Sequence, residues 1–221
     1  MKVSIVTINR QPSYLQELLE SISAADFDQL SLTFCVGDRD GSHIPEQVPG
    51  DLRQVRMLPN AVRENHGSHI DSVVNYAVAV LESSVILEDD VVVSPRFCEL
   101  LRPAVEEAYR LRPTGHFLLS LSSDQVWPRG GAIVPYPLDV YSGTMGMFVP
   151  AELQFDLFRF MICHLEAEFV SPDCTIAEYC QTRGIPLYCI TQSIVKHIGI
   201  QSAISNRVVT VQCPTFAGVK E

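Results

Sequence analysis

Apolar positions along the chain alternate between short continuous runs and helical spacing. Val3 to Ile8 is a β-branched run that predicts a strand. Ser13 follows as a helix N-cap, with Leu15, Leu18, Leu19 and Ile22 at the period of an amphipathic helix. Leu30 to Val36 predicts a second strand, closed by the polar turn from Gly37 to Gly41. A weaker strand is expected at Arg53 to Leu58, then a helix capped by Ser68 that buries Ile70, Val73, Val74, Ala77, Val78 and Leu81. Val85 to Leu87 is a strand running into Glu88, Asp89 and Asp90. Beyond it, Pro95 opens a helix toward Arg110, and His116 to Leu121 and Tyr141 to Val149 are strands. Pro150 and Pro172 stand where helices begin, and Gly184 where the second stops. The Pro- and Gly-containing stretch from Trp127 to Leu138 is expected to be a mobile, functional loop.

Strands alternating with helices imply an α/β chain with a mainly parallel, Rossmann-like central sheet flanked by helices, with ligands at the carboxyl ends of the strands. At 221 residues with no internal repeat or linker composition, one domain over 1–221 is expected. The net charge of −10 disfavours a nucleic acid partner. If the ligand is nonetheless a polyanion, a cation must stand between it and the protein's carboxylates, so a divalent metal is expected. Seven cysteines without a CxxC pair, several inside apolar runs, read as thiols of a reducing compartment. With no signal-peptide pattern and no apolar run of membrane-spanning length, the chain is expected to be cytoplasmic or a domain cut from something larger.

Three consecutive carboxylates directly after an apolar strand are costly to pack unless a cation or proton compensates. In extended backbone Glu88 and Asp90 project to one side and Asp89 to the other, so one acid can hold metal while another orders the ribose or the sugar. A solvated turn is the alternative, although the apolar Val91 to Val93 argues against simple exposure. His197, after a short apolar segment and before Gly199, can complete a metal's coordination or be structural. Neighbouring Lys196 can neutralise a diphosphate or be a solvated lysine. Gly143 and Gly146 lie inside the strand-like Tyr141 to Phe148, where a sugar or a β-bulge would explain them. Trp127 can stack on an acceptor sugar or anchor its loop.

The run Val85-Ile-Leu-Glu-Asp-Asp-Val91 resembles the strand and acidic DXD-type motif of GT-A glycosyltransferases, in the EDD form of inverting N-acetylglucosaminyltransferases. Other segments agree in order. Val3 to Leu19 looks like that family's first strand and helix, Gly37 to Asp40 like the end of its second strand, and Ser193 to Ser202 like its HxG-containing segment. The resemblance implies a GT-A domain with a nucleotide-binding half of about 1–93 and an acceptor-binding half of about 94–221. It implies Asp90 and His197 as ligands of Mn²⁺ or Mg²⁺, with Glu88 and Asp89 at the nucleotide sugar, a UDP-sugar being favoured. Asn9, Arg10, Asp38 and Asp40 fall at nucleotide-binding positions, though loop turns explain them equally. His66, with Asn65, precedes a helix amino end that favours negative charge or is simply a cap. The absence of the stem and anchor carried by Golgi members makes a bacterial or viral surface polysaccharide the expected product.

The function implied is transfer of a sugar from a nucleoside diphosphate to a glycan hydroxyl, with inversion and with Asp173 as general base. Asp173 follows Ser171-Pro172 at a helix start, where an acid also simply favours the helix dipole; Glu166, Glu168 and Glu178 are in reserve. Two other functions compete. A nucleotidyltransferase that forms the activated sugar would need a glycine-rich basic loop, and Thr7 to Pro12 contains no glycine. A glycan-binding or assembly module without turnover is the second. The partners expected are a nucleotide sugar, a carbohydrate acceptor and other polysaccharide-assembly domains or enzymes.

Overall fold

A computed structural model describes residues 1–8, 13–36, 44, 45, 48, 51–56, 67–127, 130–141, 143–165, 171–199 and 213–218. The elements are β1 (Lys2–Thr7), α1 (Leu15–Ser23), β2 (Ser31–Val36), β3 (Asp51–Arg56), α2 (Gly67–Glu82), β4 (Val85–Glu88) and β5 (Val91–Val93). They continue through α3 (Phe97–Leu111), β6 (Leu118–Ser120), β7 (Ile133–Pro135), β8 (Gly146–Phe148), α4 (Ala151–Cys163), α5 (Pro172–Arg183), β9 (Leu187–Ile190) and β10 (Val195–His197). An 8-stranded sheet has the order β3-β2-β1-β4-β8-β6-β9-β7, and β10 pairs with β5 in a separate ribbon. The pairs β3–β2, β2–β1, β1–β4 and β6–β9 are parallel, whereas β8 runs against β4 and β6, and β7 against β9. The chain is therefore mixed α/β with a mostly parallel sheet.

Near-continuous apolar strands belong in a sheet covered on both faces, and the burial follows suit. Val3, Ile5, Leu32, Phe34, Val85 and Leu87 pack with α1 and α3. The intervening Cys35 and Ile86 pack with α2, α4 and α5. Neighbouring strand positions thus feed opposite layers, as side-chain alternation requires. Each fully buried Leu or Ile contributes roughly 1.5–3 kcal/mol, so these two layers dominate the stability of the fold.

Several boundaries differ from expectation. Tyr14, not Ser13, occupies the N-cap position of α1. Ser68 lies inside α2, which already begins at Gly67. The strand expected over Tyr141 to Val149 shrinks to Gly146–Phe148, because Gly143 at φ +79° turns the chain away from extended backbone. The segment from Trp127 to Leu138 is not simply a loop: Ile133–Pro135 forms an edge strand on β9, and its proline costs no ladder bond there. Strands β5, β9 and β10 were not anticipated. Gly184 closes α5 in the left-handed conformation, as expected. All seven cysteines are free. Among the described residues no helix is long and apolar enough to cross a membrane.

Candidate functional site

The parallel strands β1 and β4 end side by side, with Val6 opposite Glu88. Thr7 and Ile8 close β1 by donating to one oxygen of Asp89, at 2.8 Å from the Thr7 hydroxyl and 3.2 Å from the Ile8 N–H. Asp89 is buried and acts as a brace between the two strand ends. Its side chain thus serves the β1 terminus, beyond which Asn9 and Arg10 lie outside the described residues. Asp38, Asp40, Asn65, His66, Glu166 and Glu168 lie outside them as well.

Asp90 turns the chain from β4 into β5, and β5 recruits β10 as its antiparallel partner, with Val91 opposite His197. This pairing brings His197 Nε2 to 3.2 Å from Asp90 Oδ2, with both side chains only 11% exposed. The Asp90 carbonyl accepts from the N–H groups of Ile198 at 2.8 Å and Gly199 at 3.3 Å. Gly199 has no room for a side chain: a Cβ there would stand 2.6 Å from Asp90 Oδ2 and 3.0 Å from His197 Nε2. The far end of the chain secures this ribbon. Ser94 donates its hydroxyl to the Ala217 carbonyl, Ala217 donates its N–H to the Ser193 carbonyl at 2.8 Å, and the Ser193 and Thr215 hydroxyls are 3.0 Å apart.

Glu88 is gripped by the segment before β8. Its N–H donates to the Met145 carbonyl at 3.1 Å, and the Thr144 hydroxyl donates to its Oε1. Burial raises the Glu88 pKa to about 7, helped by the charges of Asp90, Asp173 and Asp89 and opposed by the Thr144 hydrogen bond. The charges of Glu88 and Asp173 likewise act on the buried phenol of Tyr76 and on Tyr141, whose pKa values burial, the main cause, drives well above 10. Asp173, in the first turn of α5, accepts from the Ser171 hydroxyl at Oδ1. Helix α5 therefore brings Asp173 into electrostatic reach of the acid run from a distant part of the sequence. Glu178 sits further along α5, where its carboxylate is 3.9 Å from His164.

Four further expected contacts have the following surroundings. Lys196 is exposed, next to His197 on β10, so its side chain leaves the opposite face of the strand; its Nζ lies 5.9 Å from the Phe216 ring centroid. Gly146 is needed because Val195 covers it, a Cβ standing 2.8 Å from Val195 Cγ2, so protein and not sugar fills that space. Gly143 is required by its positive φ. Trp127 is half-buried, its N–H donating to the Ser123 hydroxyl at 2.9 Å and its ring meeting Tyr136 edge-on at 5.7 Å, which is an anchoring arrangement. Sequence reasoning missed Thr7, Tyr76, Thr144 and the tight fit of Gly199. Only Thr144 carried a signal, as a polar residue within an apolar run.

A divalent ion fits the Asp90 and His197 pair. Ligands at roughly 2.1–2.2 Å in an octahedron are about 3 Å apart, close to the 3.2 Å observed. Among the described residues no group of three or more His, Cys, Asp and Glu side chains is arranged to hold a metal. Asp90 and His197 would supply two of the ion's ligands.

No protein-family model matches the chain, and no curated protein does. Solved structures similar to it include S. aureus TarS, at 12% identity and a TM-score of 0.48 over 90% of this chain and 36% of that one. The structure of S. aureus TarS 1-349 matches at 14% identity and a TM-score of 0.46 over 88% of this chain and 59% of that one. The chain thus spans 36% and 59% of the lengths of these two. Likeness at this level decides neither fold nor activity.

Proposed function

We propose that the protein is a metal-dependent glycosyltransferase that moves a sugar from a nucleoside diphosphate, a UDP-sugar being favoured, to a hydroxyl of a glycan. The observation that carries this reading is the 3.2 Å approach of His197 to Asp90 at the carboxyl end of a parallel sheet, with Glu88 and Asp173 in electrostatic reach of each other. Topology supports it too, since ligands of parallel α/β sheets gather at that end.

In this reading Asp90 and His197 would hold Mn²⁺ or Mg²⁺, which would supply Lewis-acid neutralisation of the departing diphosphate. Glu88 accepts a hydroxyl of the transferred sugar. Asp173 takes the proton of the acceptor hydroxyl as that oxygen attacks the anomeric carbon on the face opposite the leaving group, which inverts the centre. Ser171 fixes Oδ1 of Asp173, and Oδ2 is the oxygen that receives the proton.

The test is nucleotide release from a panel of UDP, GDP and dTDP sugars with and without Mn²⁺, using wild-type protein and Asp90→Ala. Release that requires Mn²⁺ and is abolished by the substitution is expected. Metal-independent release, or an Asp90→Ala protein with wild-type activity, would refute the reading.

A further inference from the structure

The geometry around Glu88 points to a role for Thr144. A carboxylate at the end of β4, beside Asp89, Asp90 and the charge of Asp173, is pushed by repulsion to swing toward solvent. The Thr144 hydroxyl donates to Glu88 Oε1 and so opposes that swing. Thr144 itself is 3% exposed, so its hydroxyl is fixed by packing. Gly143 at φ +79° sets the turn that delivers Thr144, and the next residue, Met145, holds the Glu88 N–H. The phenol of Tyr76, kept protonated by burial, lies 3.5 Å from the Thr144 carbonyl and backs the turn. Among the described residues Oε2 of Glu88 takes no hydrogen bond, whereas Oε1 is engaged.

We propose that Thr144 is a positioning residue: it holds the Glu88 carboxylate on the side of Asp90 and Asp173, so that Oε2 is presented to a hydroxyl of the donor's sugar. The identity of that ligand rests on the glycosyltransferase reading above; the clamp on Glu88 does not. Thr144 is therefore a determinant of affinity for the sugar and not for the diphosphate.

Three variants separate these statements: Thr144→Val, which keeps the shape and removes the hydroxyl, Thr144→Ser, which keeps the hydroxyl, and Glu88→Gln. Each is confirmed as folded by its melting curve and titrated calorimetrically with UDP and with UDP-N-acetylglucosamine in Mn²⁺. Thr144→Val is expected to lose about tenfold or more in affinity for UDP-N-acetylglucosamine while UDP binding stays within about twofold, and Thr144→Ser to restore the sugar-dependent part. Crystal structures of the ligand-free proteins give a second measurement, with the Glu88 carboxylate turned away from position 144 in Thr144→Val and kept against it in Thr144→Ser. Wild-type sugar binding by Thr144→Val beside weak binding by Glu88→Gln would overturn the proposal, as would an unmoved Glu88 in the Thr144→Val structure. Should wild type not distinguish UDP-N-acetylglucosamine from UDP, the choice of that donor fails, and the direction of Glu88 in Thr144→Val decides the clamp.

Discussion

Replacing Gly199 by alanine tests the metal pair without touching either ligand. The added Cβ would stand 2.6 Å from Asp90 Oδ2, against roughly 3.3 Å for an ordinary C···O contact, so the oxygen must retreat by about 0.7 Å. Metal–ligand distances tolerate only about 0.2 Å, so the displaced carboxylate no longer meets an ion shared with His197. The backbone is not strained by the change, because Gly199 is not among the positive-φ glycines. The remaining cost is an off-rotamer Asp90 of about 0.5–1.5 kcal/mol, or a few degrees of melting temperature for a chain of this size. Affinity for Mn²⁺ with nucleotide is therefore expected to fall about 10- to 100-fold in a protein that remains folded. Gly184→Ala is the natural control: at φ +64° with nothing within 4 Å, it should cost stability and leave binding alone. Calorimetry on both variants, with melting curves, reads the contrast. Wild-type metal-nucleotide affinity in Gly199→Ala would refute the metal pair.

His197→Ala should weaken Mn²⁺-dependent nucleotide binding with little change in melting temperature; a large thermal loss with intact binding would make the ring structural. Asp173→Asn should lower turnover by roughly two orders of magnitude while donor binding persists, and NMR of the product should show an inverted anomeric centre. Gly146→Ala forces a Cβ to 2.8 Å from Val195 Cγ2 and should cost about 1–3 kcal/mol, of which Val195→Ala in the same chain recovers part; strictly additive losses would remove that contact as the reason for the glycine. For metal-free protein, the Glu88 pKa of about 7 lies above the ordinary 4.5, so between these values the folded state holds a proton that the unfolded chain has released. Stability should fall as pH rises from 4.5 toward 7, and Glu88→Gln should flatten that slope in pH-dependent denaturation.

What sequence made legible were the features that act over a few residues. The β-branched runs of β1, β2 and β4, the apolar stripe of α1, the proline starts of α4 and α5 and the Gly184 stop are all local signals. Glu88, Asp89 and Asp90 stood out for the same reason, being adjacent. What stayed hidden depends on distant partners. Val91 to Val93 is too short to show a period and becomes a strand through Val195 to His197. A glycine in an extended run announces close approach but not by whom, and at Gly146 the neighbour is Val195. Alternation sets Asp89 apart from Glu88 and Asp90 but does not show that its oxygen meets Thr7 and Ile8 at the end of β1. Lys196 and His197 are adjacent in sequence and opposite in direction, which only the pairing of β10 reveals.

Asp90 and His197 are 107 positions apart, and the ribbon carrying His197 is pinned in turn by Ala217. During synthesis the acid run leaves the ribosome long before its imidazole partner, so a nascent chain carries three neighbouring carboxylates before His197 is present. Closing a loop of that length carries an entropic cost that grows with the logarithm of its size, and only the docked β-sheet layers can offset it. If Asp90 and His197 hold an ion as proposed, its capture would be a late event, open only to chains in which β10 has already paired with β5.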